Sequence, residues 1–315
     1  MEKYTFLLPA YKARFFEEAL LSIKNQTYRD FKVIVSDDCS PEDLKPIYDK
    51  VCGDDPRFTF RRNEENMGSK SLVSHWNLLV DICDTEWLIM AGDDDVYDPT
   101  FLDEMDRLSE KYPKVDLLRT RINKIDKYGD VIWKERPFDE FLEQVEAICQ
   151  NPDACVGNYV FRKKTLIKKG GFVNFPYAMG SDTATAIIMS DNGVANVVQP
   201  LFSYRISDYQ ISSHLHNRNV DKEKMRGLFD YHSWQLKYLN TVKHDGTKLH
   251  QNAIKEYIKQ VNSVLVLSSR FYYGALSFSN FMSVYSKLRE IGCFERKLEE
   301  LKFVVGYIKS RRLYK

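Results

Sequence analysis

Three groups of acidic residues lie at or near the ends of predicted strands. Asp37–Asp38 follow the apolar run FKVIVS, Asp93–Asp95 follow EWLIMA, and Asp182 follows the segment Gly170–Phe172. Ligands of open α/β sheets bind at the carboxyl ends of the strands, so these positions predict a ligand site. Adjacent carboxylates repel one another unless a cation or hydrogen-bond donors compensate. Mg²⁺ or Mn²⁺ held together with a nucleotide diphosphate would provide that compensation.

The elements that must position these residues are predicted from hydrophobic periodicity. Residues 4–8 and 31–36 are short apolar runs typical of strands, and residues 14–25 between them have helical spacing. Neither strand alternates cleanly between apolar and polar residues, which indicates a parallel sheet covered on both faces. The same kind of pattern then predicts helix 41–51, strand 57–61, helix 69–82, strand 86–91, helix 99–111, two strands within 115–135 and strand 157–162.

These repeated units predict an α/β fold with a doubly wound, mostly parallel sheet that becomes mixed in its second half. From about residue 220 onward helical periodicity dominates, over residues 221–241, 248–270, 277–291 and 294–312. We therefore expect a catalytic domain over residues 1–214 and a helical C-terminal region over residues 215–315.

Each acidic group also has a purely structural interpretation. Asp93–Asp95 would suit a polar turn or cap before a helix that begins near Pro99, and Asp182 would suit the N-cap of the helix TATAIIM. Ser40 would serve as the N-cap of a helix with Pro41 at its first position. A cap and a ligand contact can be made by different residues of one loop.

The order and spacing of these segments resemble the family-2 glycosyltransferases, which have the GT-A fold, from residue 4 to about residue 213. The segment LPAY, at 8–11, resembles the opening IPxYN of that family. QTY at 26–28, followed by FKVIVSDDCS at 31–40, resembles its QTYxxxEIIVVDDGS. Lys12 and Cys39 stand where the family has Asn and Gly.

The resemblance assigns nucleotide binding to the first acidic loop and its neighbours. Asp37 or Asp38 is expected to bind the base and ribose. The segments NMG at 66–68 and HWN at 75–77 resemble the family's NxG segment and its following RN or WN pair. The further nucleotide-binding residues that the resemblance implies are Pro9, Tyr11, Asn66, Gly68 and Asn77. For Asn77, an ordinary place on a helix surface is the alternative.

The segment AGDDDV, at 91–96, corresponds to the family's DxD segment, commonly LDADD, with Gly92 at the position of the first Asp. The resemblance implies that Asp95 is the direct ligand of Mn²⁺ or Mg²⁺. It implies that Asp93 and Asp94 contact ribose, phosphate or metal-bound water, with Asp93 as the second expected ligand. In this role the metal neutralises charge on the departing diphosphate. Gly92 leaves open which pair of carboxylates forms the functional DxD.

Two later segments resemble the acceptor side of the family's site. KGGF at 169–172 and GSD at 180–182 resemble its GGFDE and its downstream ED, whose Asp is the catalytic base. The resemblance implies this role for Asp182, although Ser181 replaces the usual Glu. Tyr204, Arg205 and the segment 210–214 resemble the tail in which a mobile loop closes over the diphosphate. Arg205 is expected to pair with the diphosphate, and a surface ion pair is the alternative.

These motifs predict a metal-dependent inverting glycosyltransferase. The expected donor is a nucleotide diphosphate sugar, and a UDP-sugar is the first choice. The expected acceptor is a hydroxyl of a glycan or a lipid-linked molecule, in polysaccharide or glycoconjugate synthesis. A sugar-phosphate nucleotidylyltransferase is one alternative, but it should have a Gly-rich, Arg-containing loop where this chain has PAYKAR. A glycan- or nucleotide-binding protein without catalytic activity is the other.

Charge is distributed unevenly, with a net +10 in residues 215–315 and a net −9 in residues 1–214. In residues 215–315, basic residues alternate with aromatic ones. The aromatic residues are those at 271–273, Phe278, Phe281, Tyr285, Phe303 and Tyr307. Aromatic, basic helices of this kind can lie in a membrane interface. Packing of the aromatic side chains between the helices explains the same pattern.

The remaining composition excludes several classes of protein. No signature of a nucleic-acid-binding domain accompanies the basic charge, so we expect no nucleic-acid partner. The six cysteines are scattered without a CxxC pair, which indicates neither a zinc site nor a disulfide framework. No apolar run is long enough to span a bilayer and no secretory signal is recognisable. The sequence therefore predicts a cytoplasmic protein, with peripheral contact at the inner face of the membrane left open.

Overall fold

A computed structural model describes residues 2–150, 155–208, 217–242, 246–268, 273–290, 293–294 and 297–314. The chain divides into two compact units. The first comprises Met1–Ile148, Pro152–Asn174 and Ser181–Ser207, and the second comprises Cys149–Asn151, Phe175–Gly180 and Asp208–Lys315. The predicted domain boundary between residues 214 and 215 lies outside the described residues and stays a prediction.

The first unit is built on one sheet, which has ten strands in the described part of the chain. They are β1 (Tyr4–Ala10), β2 (Phe31–Asp37), β3 (Phe58–Arg62), β4 (Trp87–Met90), β5 (Val96–Tyr97), β6 (Leu117–Ile125), β7 (Val131–Lys134), β8 (Phe141–Leu142), β9 (Tyr159–Arg162) and β10 (Val194–Arg205). Their order in space is β3-β2-β1-β4-β9-β6-β10-β5, with β7 paired to β6 and β8 to β10. Strands β3, β2, β1 and β4 are parallel, whereas β9 pairs antiparallel with β4 and β6. The expected mixed, mostly parallel sheet is confirmed.

The helices of this part of the chain are α1 (Phe16–Lys24), α2 (Lys45–Cys52), α3 (Gly68–Ile82), α4 (Phe101–Lys111), α5 (Gln144–Cys149), α6 (Lys163–Lys168) and α7 (Ser181–Met189). Phe16, Leu20 and Ile23 recur at helical spacing in α1, and all three are fully buried in the core of the sheet. Strand β4 is buried at every residue, which explains why its sequence shows no alternation.

Strand β10 is not predicted by the sequence patterns. Gln199 and Pro200 interrupt its apolar residues, and its register against β6 shifts between Val197 and Phe202. Proline cannot donate to the ladder, so it is accommodated at an irregular position of the strand. As a consequence Arg205 ends a long strand and does not lie in a loop.

The second unit contains the helices α8 (Arg218–Leu239), α9 (Lys248–Ser268), α10 (Phe278–Glu290) and α11 (Lys297–Ser310), followed by a 3-10 turn (Arg311–Tyr314). The predicted helical C-terminal region is thereby confirmed. Aromatic rings form much of its core. Phe281 stacks on Tyr307 with 3.8 Å between the ring centroids, and on Phe303 with 5.3 Å between them.

Most of the described aromatic residues in this basic and aromatic pattern are core residues. At most 3% of the surface is exposed in Tyr273, Phe281, Phe303 and Tyr307. Phe278, in contrast, is 62% exposed, and residues 271 and 272 lie outside the described residues. Packing, the alternative explanation, therefore accounts for most of this pattern. Every helix in the described ranges is too short or too polar to cross a bilayer.

Candidate active site

The carboxyl ends of neighbouring strands place two acidic loops at one edge of the sheet. Ala10 of β1 pairs with Asp37 of β2, and Asp37 pairs with Arg62 of β3, so these strands end in register. Strand β4 runs parallel to β1 on its other side, and the N–H of Ala91 donates to the carbonyl of Leu7 at 2.8 Å. The acidic segment that follows Ala91 therefore emerges at the same edge. This is the edge at which open sheets bind ligands.

Asp37 is fully buried and fixes the loop after β2. One carboxylate oxygen accepts the main-chain N–H of Ser40 at 2.8 Å, and the other forms an ion pair with Arg62. The Arg62 guanidinium also donates to the carbonyl of Ser40 at 2.8 Å. Cys39, which directly precedes Ser40, has a φ of 55°. This left-handed conformation explains why the related family has glycine at the position of Cys39.

The expected N-cap role of Ser40 is wrong. Helix α2 begins at Lys45, five residues further on. The Ser40 hydroxyl instead donates to the carbonyl of Tyr11 at 2.7 Å and accepts the N–H of Glu42 at 3.0 Å. Ser40 therefore joins the loop after β2 to the loop after β1.

Asp38 joins the loop after β2 to the start of α3. Its Oδ1 accepts from the Asn63 amide and from the N–H of Met67, each at 2.9 Å. Its Oδ2 accepts the N–H of Gly68 at 2.7 Å. A Cβ at position 68 would lie 2.9 Å from this oxygen, so glycine permits the close approach. The two segments predicted to bind the nucleotide are thus in direct contact.

The other predicted nucleotide residues lie on the same loops. Pro9 belongs to β1 and pairs with Ser36 of β2. The Tyr11 side chain is 40% exposed at the end of β1. Asn66 uses its side-chain oxygen to accept the N–H of Ser69 at 2.7 Å. The predicted tail at 210–214 lies outside the described residues.

Asp93 connects the acidic segment to the loop after β1. Its Oδ2 accepts the main-chain N–H groups of Tyr11 and Lys12, at 2.7 and 2.8 Å. Its Oδ1 lies 3.3 Å from the Lys12 ammonium. Burial raises the pKa of Asp93, and the charge of Lys12 acts against that shift. Both carboxylate oxygens have protein partners, so the metal contact of Asp93 stays a prediction.

Asp94 and Asp95 have different surroundings. Asp94 Oδ2 lies 2.7 Å from the Lys12 ammonium. Asp95 is 4% exposed, and its Oδ1 accepts the main-chain N–H of Arg205 at 3.1 Å. Burial, and next the charge of Asp94, hold the pKa of Asp95 well above its usual range. A Cβ at Gly92 would lie 2.6 Å from Asp95 Oδ2, so the absent side chain leaves room for this carboxylate.

The interpretation of the acidic segment as a helix cap is wrong. Strand β5 follows it directly, and α4 begins only at Phe101. Before that helix, the Asp98 carboxylate accepts from the N–H and the hydroxyl of Thr100, at 2.9 and 2.7 Å. The turn that leads into α4 is thus made by other residues.

Arg205 is buried and positions the acidic segment. Its Nε donates to the carbonyl of Asp94 at 2.9 Å, and its Nη1 donates to the carbonyl of Asp126 at 3.1 Å. Its Nη2 forms an ion pair with Glu18 at 2.6 Å, and the guanidinium lies over the ring of Phe15. Each guanidinium nitrogen thus has a protein partner, and the expected pairing of Arg205 with a diphosphate stays a prediction.

Asp182 lies in the first turn of α7, which begins at Ser181. Its carboxylate accepts from the N–H and the hydroxyl of the next residue, Thr183, at 2.7 and 3.4 Å. An N-cap side chain accepts from N–H groups two or three residues further on, so the cap interpretation does not match. Burial raises the pKa of Asp182 to about 6, although the hydrogen bonds from Thr183 lower it. A pKa near the working pH suits a general base.

The loop 170–172 is anchored by Asn77 of α3. The Asn77 amide donates to the carbonyl of Phe172 at 3.2 Å, and its oxygen accepts the N–H of Phe172 at 2.8 Å. The N–H of Val173 then donates to the Thr185 hydroxyl of α7 at 3.0 Å. Asn77 thus positions the segment that supports the helix of the predicted base. Its nucleotide contact stays a prediction.

The half-buried thiol of Cys155 is influenced by the charges of both the acidic segment and the predicted base. Burial raises the pKa of Cys155, and the charges of Asp95, Asp182 and Asp94 raise it further. The two groups, which the sequence separates by almost ninety residues, both belong to the first unit.

The acidic segment fits a hard divalent cation. Carboxylate oxygens are the ligands that Mn²⁺ and Mg²⁺ prefer. The buried carboxylate of Asp95 lies beside the charge of Asp94, and a cation would relieve this repulsion. Over the ranges that the structure covers, no group of three or more His, Cys, Asp or Glu is arranged to hold a metal by itself. A cation here would thus take its other ligands from a diphosphate and water.

Sequence reasoning gave no role to Lys12, Arg62 or His75. The His75 ring lies 3.0 Å from the Ser36 hydroxyl through Nε2 and 3.6 Å from Asp38 through Nδ1, and burial lowers its pKa. The partners of His75 and Arg62 depend on strand register and on helix packing, which spacing does not reveal. Lys12 could have been recognised from the sequence, because it is a positively charged residue at the position where the resembled family has a neutral Asn.

Comparison with known proteins identifies relatives of this chain. A model of glycosyl transferase family 2 matches residues 5–170. An uncharacterized glycosyltransferase of Methanocaldococcus jannaschii is 24% identical over 157 residues, which are 50% of this chain and 53% of that protein. GalNAc(5)-diNAcBac-PP-undecaprenol beta-1,3-glucosyltransferase of Campylobacter jejuni is 34% identical over 65 residues, 20% of this chain and 21% of that protein. The match thus spans about half the length of the first relative and about a fifth of the second.

Solved structures share the fold. TarS 1-349 of S. aureus, in complex with UDP-GlcNAc, has a TM-score of 0.60 at 13% identity, with 98% of this chain and 92% of that chain covered. A mannosyltransferase from Pyrobaculum calidifontis, in complex with GDP-Man and Mn²⁺, has a TM-score of 0.56 at 13% identity, with 98% and 87% covered. The mixed sheet described above is of the same type, the GT-A fold. Since the family model matches more than half of the residues, the chain belongs to glycosyl transferase family 2.

Proposed function

We propose that this protein is an inverting glycosyltransferase that moves a sugar from a nucleotide diphosphate sugar to an acceptor hydroxyl. The observation that carries the proposal is Asp182, a carboxyl whose pKa is raised to about 6 by burial. Its charge acts on the same thiol as the charges of Asp94 and Asp95. A base near a phosphate-binding segment is what direct displacement at an anomeric carbon needs.

On the donor side, the loops after β1 and β2 would bind the nucleotide, and Asp95 would hold Mn²⁺ or Mg²⁺, with Asp93 as the second proposed ligand. When bound, the cation neutralises charge on the departing diphosphate as a Lewis acid. Arg205 keeps the segment in place through the carbonyl of Asp94 and the carboxylate of Asp95. The similar structures are complexes with UDP-GlcNAc and with GDP-Man, which supports this donor class, and a UDP-sugar is our first choice.

On the acceptor side, the Asp182 carboxylate would take the proton of the attacking hydroxyl. The hydroxyl attacks the anomeric carbon from the face opposite the diphosphate, so the configuration inverts. A glycan or lipid-linked molecule is the proposed acceptor, in polysaccharide or glycoconjugate synthesis. The name of the Campylobacter relative, which includes a glycan on PP-undecaprenol, supports the lipid-linked class.

The donor class can be tested by a thermal-shift screen of nucleotide sugars with and without Mn²⁺. We expect one UDP-sugar to raise the Tm more with the cation than without it, because ligands that bind only the folded state stabilise it. With an α-linked donor, nuclear magnetic resonance of the product should show a β-linkage. An α-linked product would contradict inversion. Donor binding with neither hydrolysis nor transfer would favour the non-catalytic alternative.

Peripheral membrane contact through the C-terminal helices is a second part of the proposal. Its support is an aliphatic stripe on α11, whose members are 38% to 59% exposed: Leu298, Leu301, Val305 and Ile308. Their spacing puts them on one side of the helix, away from the buried Phe303 and Tyr307. The exposed residues Lys297, Lys302 and Lys309 are on the same helix. An apolar face with basic residues is typical of helices that lie in a membrane interface.

Cosedimentation with anionic vesicles tests this contact. The double variant Leu301→Gln, Ile308→Gln should weaken vesicle association at least about tenfold, because burial of each side chain contributes roughly 1.5–3 kcal/mol. Added salt should weaken the association of the unchanged protein. A matched control is Val131→Gln, Ile132→Gln, at residues of β7 that are 48% and 56% exposed. Equal loss in both variants, or no association at low salt, would contradict the contact.

A further inference from the structure

Both the side chain and the main chain of Lys12 contact the acidic segment. Its ammonium lies 2.7 Å from Asp94 Oδ2 and 3.3 Å from Asp93 Oδ1. Its main-chain N–H donates to Asp93 Oδ2 at 2.8 Å. Only 26% of the side chain is exposed. The residue is therefore a fixed cation of the site.

The charges around Lys12 leave the segment negative in the donor-free protein. Asp93, Asp94 and Asp95 are three carboxylates with one ammonium at ion-pair distance of two of them. The other nearby cation, Arg205, directs its guanidinium to main-chain carbonyls and to Glu18. The ammonium thus already lies against Asp93, the second proposed ligand of the divalent cation, and against the neighbouring Asp94. Two cations at the same oxygens repel one another.

We propose that Lys12 competes with the divalent cation for Asp93, the second proposed ligand, so that Lys12 weakens binding of the cation in the absence of a nucleotide diphosphate. The diphosphate brings the negative charge that compensates both cations. The inference rests on the proposed function, because it takes the donor to be a nucleotide diphosphate sugar. The neutral Asn that the resembled family has at this position would not compete, so the competition is a property of Lys12 in the present chain.

Binding of Mn²⁺ to the full chain, followed by the electron paramagnetic resonance signal of free Mn²⁺, tests the competition. In the unchanged protein, we expect weak binding alone and at least about tenfold tighter binding with UDP, a coupling of ordinary size. Lys12→Met should raise the affinity for Mn²⁺ without UDP about tenfold, because the competing charge is gone. The gain from UDP should shrink accordingly. Lys12→Arg, which keeps the charge, should behave like the unchanged protein.

Two further variants make the result decisive. Lys12→Asn, the residue of the related family, should have the same effect as Lys12→Met and replaces it if Met impairs folding. Lys111→Met is the matched control, because Lys111 is an exposed lysine at the end of α4 and pairs with Glu140. It should leave the Mn²⁺ affinity unchanged.

The outcomes separate this inference from the proposed function. Suppose that the unchanged protein binds UDP with Mn²⁺, but that neither Lys12→Met nor Lys12→Asn changes the Mn²⁺ affinity without UDP. The role of Lys12 is then overturned, and the proposed function is not. If the unchanged protein binds no nucleotide diphosphate or nucleotide sugar with Mn²⁺, the proposed function is overturned and this inference with it. A tenfold gain in Lys12→Met and Lys12→Asn, absent from Lys111→Met, supports the competition.

Discussion

The variant Asp182→Asn should reduce turnover by about 10²–10⁴-fold and leave the affinity for the nucleotide sugar nearly unchanged. An acceptor hydroxyl is a poor nucleophile until a base takes its proton, and an amide cannot do so. Asn keeps the volume of Asp, and its oxygen can still accept the N–H of Thr183, which is 2.7 Å from the carboxylate. The proposed donor contacts lie on other loops, after β1, β2 and β4. The release of UDP measures turnover, and calorimetry measures donor affinity, so the two quantities are obtained separately.

A matched acidic residue on the following turn provides the control for this prediction. Asp191 is 47% exposed and pairs with Lys169, so Asp191→Asn should retain nearly normal turnover. Near-normal turnover in Asp182→Asn would remove the base assignment. An equal loss in both variants would point to damage of the fold around α7.

The pH dependence of the reaction provides an independent signature of the same group. A base acts in its deprotonated form, and burial raises the pKa of Asp182 to about 6. The value of kcat/KM for the acceptor should therefore be level above that pH and fall about tenfold per unit below it. The residual activity of Asp182→Asn should lack this acid limb.

Much of the fold could be predicted because its strands and helices carry strong local patterns. Strands β1, β2 and β4 are apolar runs of nearly continuous burial, and α1 has its buried residues at helical spacing. Strand β10 could not be predicted, since Pro200 breaks its pattern and the strand is defined by its pairing with β6, β5 and β8. The pattern of α11 was also ambiguous. This helix has apolar residues on two sides, and sequence periodicity does not tell which side packs.

The candidate site could be predicted as loops, but less well as individual side chains. Asp37, Asp38 and the segment 93–95 emerge at one edge because parallel strands share their carboxyl ends. The partners of Arg205 and Asn77 could not be predicted, because they belong to segments about a hundred residues away along the chain. Both side chains hold loops in place. A motif position gives the residue type, and only tertiary contacts give its partners.

The largest expected effect on the donor side is at Asp95. Asp95→Asn should weaken Mn²⁺-dependent binding of UDP at least about 100-fold, since even residues that merely support a metal ligand change affinity by about 10–100-fold. The fold should be kept, because the Asn oxygen can accept the N–H of Arg205 as Asp95 Oδ1 does at 3.1 Å.

The donor-free form of Asp95→Asn should be as stable as the unchanged protein or more so. The substitution replaces a carboxyl that is 4% exposed and lies beside the charge of Asp94, and burial of a charge costs stability. A Tm that is kept or raised, together with lost nucleotide affinity, separates a ligand role from general damage.

Asp98→Asn, at an exposed residue whose oxygen accepts from Thr100, is the matched control and should bind UDP normally. Calorimetry would contradict the assignment if Asp95→Asn kept its UDP affinity in Mn²⁺, or if a chelator left the unchanged protein's affinity as it was. A lowered Tm together with lost affinity would instead place Asp95 among the residues that, like Arg205, hold the segment in its conformation.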